Sequence, residues 1–232
     1  MNKKFLGAVC GVLALFGGAA IAQDPIVTFG FTDLDGDFVY NQNNNTGAFT
    51  AVASSLLSGG PFASSGDVTR VLPVTGTAQF DTNFIDQADQ GNFVLNMSVS
   101  NITNTTAFVG NGAFTITDAN GDTITGNLTG NWARLGGVFG SFAGTMSNIS
   151  FNNTSGDGTF DGSDIGSFSM LFPGGPFYDG AIIVLETGSW FKESFEDTDT
   201  QVEASILIPV PGAVLLGALG LAIVNRMKRK VA

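Results

Sequence analysis

Residues 23–195 predict an all-β domain, either a β-sandwich or a small β-barrel, and three observations carry the prediction. Apolar and polar residues alternate with a period of two in several short segments, the pattern of half-buried strands. Asp-Gly and Asn-Gly dipeptides, which tolerate the positive φ angles of tight turns, punctuate the chain. Strand-like segments recur at short intervals between Gly-rich turns, with no regular repeat of solenoid or propeller length.

The elements follow in order. Val27, Phe29 and Phe31 share one face of a first strand, and Asp35-Gly36 then marks a tight turn. Phe49 to Ser58 is the one stretch that reads as a short helix. In GNFVLNMSVSN, Phe93, Leu95, Met97 and Val99 alternate, with Val94 the large apolar residue out of phase. The clearest hairpin is GAFTITDANGDTITGNLTG: Phe114 and Ile116 lead into a turn at Asn120-Gly121, and Ile124 and Leu128 return. Gly136 to Phe151 predicts a further strand pair in which glycine allows a bend. Asp157-Gly158 and Asp161-Gly162 mark turns before Phe168, Met170 and Phe172 alternate again. AIIVLE, Ala181 to Glu186, is a continuous apolar run and predicts a strand covered on both faces. Residues 196–208, rich in Glu and Asp, read as a solvated acidic spacer and lead-in to the tail.

Both ends read as sorting signals. Lys3 and Lys4 precede an apolar run from Phe5 to Phe16, and Ala20-Ile21-Ala22 supplies an A-x-A cleavage pattern. That is the layout of a secretory signal peptide spanning residues 1–22, cut by signal peptidase between Ala22 and Gln23. At the other end Pro209 and Pro211 forbid a helix running through from upstream, whereas Pro211 suits the first turn of a new one. That helix, Gly212 to about Val224, would be about 20 Å long, against roughly 30 Å of hydrocarbon. Arg226, Lys228, Arg229 and Lys230 extend it and snorkel to the inner headgroups. Cationic flanks stay cytoplasmic, so the body lies outside.

Pro209-Val210-Pro211-Gly212, the apolar Leu/Gly/Ala helix and the terminal basic cluster together resemble the PEP-CTERM class of bacterial sorting signals. Val210 stands where the family's name-giving Glu is found. The resemblance covers about the last 25 residues. It implies an exported protein of the cell surface, associated with extracellular polysaccharide or biofilm. It also implies an exosortase-type membrane protease that recognises and removes the tail. FTITDANGDTITG with the later Gly-Ser-Phe-Ala-Gly segment resembles the hairpins of exported bacterial β-barrel proteins.

Charge and composition narrow the chemistry. All 20 acidic residues lie between Gln23 and Ser205, where Arg70, Arg134 and Lys192 are the only basic ones, which leaves −17 against −11 for the whole chain. Such a surface repels nucleic acid and anionic lipid and favours cations. With Cys10 removed in the signal, the mature chain holds no cysteine and no histidine. Thiol nucleophiles, disulfides, Ser-His-Asp triads and the usual transition-metal sites are therefore excluded. Oxygen ligands remain, which points any metal cofactor toward calcium.

Two motifs place oxygens at alternate positions, as at the start of an EF-hand loop: Asp33, Asp35 and Asp37 in DLDGD, and Asp118, Asn120 and Asp122 in DANGD. Position 6, which should be Gly, is Phe38 or Thr123, and position 12, which should be Glu, is Asn44 or Thr129. Asp157, Thr159, Asp161 and Gly162 match in part. Each is either an irregular, weak calcium loop or a solvated turn. Asp179, Glu186, Glu193 and Glu196 are carboxylates of the type a glycosidase uses, and Trp132, Trp190, Tyr40 and Tyr178 could stack on sugar rings if exposed. Numerous Asn-x-Ser/Thr sequons, among them those at Asn44, Asn96, Asn101, Asn104, Asn127 and Asn148, read as an Asn/Thr-rich strand surface.

The sequence thus leads to a non-enzymatic exported surface or matrix protein, structural or adhesive, sorted by its tail. A calcium-dependent carbohydrate-binding module and a carboxylate-based glycoside hydrolase are the alternatives.

Overall fold

Alternation of the kind seen in Phe93–Val99 buries one face of a strand and wets the other, and the sheet that results here closes on itself. The computed structural model describes residues 25–54, 63–80, 92–137, 139–172, 178–186 and 190–208. Twelve strands and no helix occur among them: β1 (Pro25–Asn41), β2 (Thr46–Val52), β3 (Ser65–Arg70), β4 (Gly76–Phe80), β5 (Asn92–Ser100), β6 (Thr106–Thr117), β7 (Thr123–Leu135), β8 (Phe139–Asn152), β9 (Thr159–Asp161), β10 (Ser167–Ser169), β11 (Tyr178–Glu186) and β12 (Phe195–Leu207). The order β12-β11-β8-β7-β6-β5-β2-β1 is antiparallel throughout, and β12 pairs back onto β1 to complete an eight-stranded barrel. Between the two alternatives the sequence left open, the protein is a barrel.

An eight-stranded barrel leaves an interior that side chains fill. Phe29, Phe31, Phe93 and Phe114 pack toward one end, with Phe31 and Phe93 centroids 4.7 Å apart. Phe38, Phe49, Trp132, Phe142 and Phe191 fill the other, with Trp132 and Phe191 at 4.9 Å. Each fully buried side chain of this size contributes roughly 1.5–3 kcal/mol. Outside, β7 presents Thr125, Asn127, Thr129 and Asn131, and hydroxyl pairs such as Thr125–Ser150 (3.0 Å) and Thr129–Thr145 (3.2 Å) bridge to β8. A packed apolar interior behind this polar β7–β8 face is the inverse of a membrane-spanning barrel, whose interior is polar.

β1 changes phase along its length. Val27, Phe29 and Phe31 point inward, then Leu34, Gly36 and Phe38 do. The slip sits at Asp33, whose φ of 57° is left-handed, at a register shift between Phe31 and Leu34. Such a bulge bends the strand. Here it also switches the partner on one edge: β2 pairs with Asp35–Asn41 and β3 with Val27–Thr32. Buried Ser64 holds the junction, taking the amide of Ser54 on its Oγ (2.8 Å) and donating to the Asp33 carbonyl (2.7 Å). At Gly36 a Cβ would collide with Thr200 Oγ1 across the β1–β12 pair, so the close approach requires glycine.

Pro25 and Leu207 pair at one end of the barrel, hereafter the exit end. The β3–β4 connection (71–75), the β6–β7 turn and residues 153–158 lie there too. The small β9–β10 ladder lies against β4 through a Gln79–Ile165 bridge, with Phe160 stacked on Phe168 at 5.3 Å.

Several expectations change. Asp35-Gly36 is no turn but the middle of β1. Residues 46–52 are strand, so the part of the predicted helix that is described is extended; the remainder, Ser55 to Ser58, lies outside the described residues. β8 is one continuous strand paired with β7, where a bent strand pair was expected. β11 alternates, with Ile182 and Val184 buried and Ile183 and Leu185 half-exposed, because only its inner face is covered. Residues 196–208 are no spacer: β12 closes the barrel, burying Val202, Ala204 and Ile206. The signal segment with Ala20, Ala22 and Gln23, and the tail with Pro209–Gly212 and Arg226, Lys228, Arg229 and Lys230, lie outside the described residues. Among the described residues no helix is long and apolar enough to cross a membrane.

Candidate functional site: an aspartate and amide node at the exit end

The hairpin turn between β6 and β7 is DANGD, and Gly121 takes the positive φ (88°) that the turn requires. Asp118 and Asp122 flank it and are both fully buried. Asp118 Oδ1 accepts the amides of Asn120 and Asp122, each at 2.8 Å, and its Oδ2 accepts the amide of Asp161 at 2.8 Å. Asp122 accepts both the amide (2.6 Å) and the hydroxyl (2.9 Å) of Ser155. These two carboxylates are therefore committed to backbone and hydroxyl donors and staple the 153–161 segment to the hairpin. Burial pushes the Asp118 carboxyl above the ordinary carboxylate range; its three amide partners oppose that shift, and the adjacent Asp122 carboxylate adds to it.

Above them Asn120 is exposed, and its Nδ2 donates to Asp161 Oδ2 (3.0 Å) and Asp157 Oδ2 (3.3 Å). Thr159 Oγ1 donates to Asp161 Oδ2 (2.9 Å) and Asp157 Oδ1 (3.1 Å). Asp157 is held below the ordinary carboxylate value, chiefly by the Thr159 amide at 2.8 Å. Two carboxylates, an amide and a hydroxyl thus converge from two loops that the sequence marked separately. The amide nitrogen of Asn120 occupies the focus. Turned over, the same side chain would offer Oδ1 beside the two carboxylates, an oxygen-rich arrangement of the kind calcium takes.

The other motif does not converge. Asp33 sits at the β1 bulge, and Asp35 and Asp37 stand two residues apart on the outer face of a strand, Asp37 facing the like-charged Glu196 across the β1–β12 pair. A strand holds alternate carboxylates parallel, where a calcium loop would wrap them round an ion. Among the described residues no three His, Cys, Asp or Glu side chains stand together as metal ligands.

Asp179 and Glu186 occupy opposite ends of β11, about 23 Å apart along the strand, well beyond the carboxylate separations of glycosidases. Trp132, Trp190 and Tyr178 are buried, so none is an exposed sugar platform; Trp190 Nε1 donates to the Thr103 carbonyl at 2.7 Å. Asn44, Asn96, Asn101, Asn104, Asn127 and Asn148 are all exposed, on strand faces and turns. The convergence of Asp157 and Asp161 on Asn120 is not legible in the sequence because it depends on how the segment after β8 folds back over the β6–β7 turn.

The chain matches no protein-family model, and comparison with characterised proteins and with solved structures finds no significant match.

Proposed function

We propose that this is an exported bacterial surface or matrix protein of structural or adhesive, non-enzymatic role, carried out by residues 1–22 and sorted by residues 209–232. The junction at Leu207 carries the reading: the closing strand of a barrel filled by its own side chains ends there, and Ile208 alone separates it from the Pro209-Val210-Pro211-Gly212 motif. Signal peptidase would release Gln23, and an exosortase-like membrane protease would act at the tail while it lies in the membrane. The Thr, Ser and Asn outer face offers extracellular polysaccharide a broad hydrogen-bonding surface. In a bacterial host the full chain should fractionate with the envelope, and a chain ending at Ile208 should be released. Cytoplasmic retention of both would overturn the proposal.

A second reading, a calcium-dependent carbohydrate-binding module, is favoured by one observation, the meeting of Asp157 and Asp161 at Asn120. It requires a higher melting temperature in millimolar calcium than in chelator, and loss of that difference in Asp157→Asn/Asp161→Asn. A melting temperature unmoved by calcium, with no glycan retention, removes it.

A further inference from the structure

We propose that, for as long as residues 209–232 remain attached and lie in the membrane, the exit end of the barrel seats directly on the bilayer, with Leu72, Val74 and Leu171 as its apolar contacts. This rests on reading residues 209–232 as a membrane segment. The acidic stretch up to Leu207 is barrel wall, so little chain separates the domain from the tail. Residues 208–211 span at most about 14 Å when fully extended, so the barrel end cannot stand far from where the apolar helix begins. The polar headgroup layer is itself roughly 5–8 Å thick on each side. A tether that short holds the exit end against the surface.

What that end presents suits the position. Leu171 is 82% exposed and Val74 70%, the two most exposed large apolar side chains among the described residues, and Leu72 is 39% exposed. Two separate loops carry them, and Arg70 binds the loops together. Its Nε donates to the Leu72 carbonyl (3.0 Å), one Nη to the Leu171 carbonyl (2.9 Å) and the other to the Ser169 carbonyl. The guanidinium lies over the Phe172 ring at 4.5 Å. The loop holding Leu72 is joined to the first strand, since the Ile26 carbonyl accepts the Val71 amide (2.8 Å), and Pro25 pairs with Leu207. The apolar loops and the point of chain exit therefore share one rim.

Apolarity alone does not choose this end. Leu135 and Phe139, 49% and 48% exposed, lie at the opposite rim. The exit of the chain does choose it. With a body of formal charge −17, contact with the surface must come from apolar side chains rather than from attraction to anionic headgroups.

The test uses the full chain with Cys10 replaced by Ser, so that one introduced cysteine takes a fluorescent label. Labels at Leu171→Cys, Val74→Cys, Leu135→Cys and Leu216→Cys are read in phosphatidylcholine vesicles containing a doxyl-labelled quencher lipid. The three barrel positions are exposed, so the label perturbs no core. Quenching at 216, 171 and 74 but not at 135 is the expected result. Quenching at 216 alone overturns the seating while leaving the tail in the membrane. Quenching at 135 in place of 171 overturns it through a reversed orientation. Absence of quenching at 216 removes the membrane reading, and the seating with it.

Discussion

Asp118 and Asp161, forty-three residues apart, are joined through a single 2.8 Å hydrogen bond from the Asp161 amide to the buried Asp118 carboxylate. The same carboxylate closes its own hairpin turn through two further amides. Replacing Asp118 by Ala strands three amide donors at the exit end. An expected cost of about 3 kcal/mol follows, since a buried donor left without a partner costs about 1–3 kcal/mol and some of these regain water. For a domain of this size that lowers the melting temperature by roughly 6–12 °C, which thermal denaturation followed by circular dichroism will read.

The pH dependence of that position has a definite sign. Burial raises the folded-state pKa of Asp118 above its unfolded value, so its titration contributes stability that is fully present below the ordinary carboxylate pKa and is lost as pH rises through the raised folded value. Asp118→Asn does not titrate. The stability of the wild-type chain relative to Asp118→Asn should therefore grow as pH falls from neutral toward about 4. A difference that is flat, or that shrinks on acidification, would contradict this electrostatic assignment.

The Asp33 bulge predicts opposite outcomes for two substitutions. At φ 57° a β-branched side chain is strained, so Asp33→Val should destabilise by about 1–2 kcal/mol. Asp33→Gly removes the strain and should stay within about 1 kcal/mol of wild type. Urea titrations of the two variants separate backbone strain from loss of the carboxylate, which both share.

Arg70 is 4% exposed and serves three carbonyls from two loops. Arg70→Met keeps much of the stem but leaves those carbonyls without their donor, and should cost about 2–4 kcal/mol. Arg70→Lys restores the charge without the fork and should recover only part of the loss. Complete recovery in Arg70→Lys, measured by thermal melting, would show that charge rather than geometry holds the loops.

The inward faces were legible wherever the pattern was local. Phe93 through Val99, and Phe114 and Ile116 with Ile124 and Leu128, needed only period two and an Asn-Gly turn. β1 was half legible: Val27 to Phe31 read cleanly, but the bulge at Asp33 inverted the phase, and Asp35-Gly36 mimicked a turn inside a strand. β12 was misread because Glu196, Asp197, Asp199 and Glu203 outweighed the alternation of Val202, Ala204 and Ile206. Its pairing with β1 joins the two ends of the domain, and nothing local signals that closure. The node behaved likewise. Asp118 and Asp122 were recognised as turn carboxylates, but their burial and their hold on Ser155 and Asp161 come from tertiary packing.

Export followed by sorting through the tail is read out by intact mass and terminal peptides of the protein recovered from the envelope and medium of its native host. The expected chain begins at Gln23 and ends near Pro209. A chain that keeps Met1 and remains in the cytoplasm would contradict it. One that begins at Gln23 but keeps Arg226 to Ala232 in the membrane would preserve the outward placement of the barrel and refute processing of the tail.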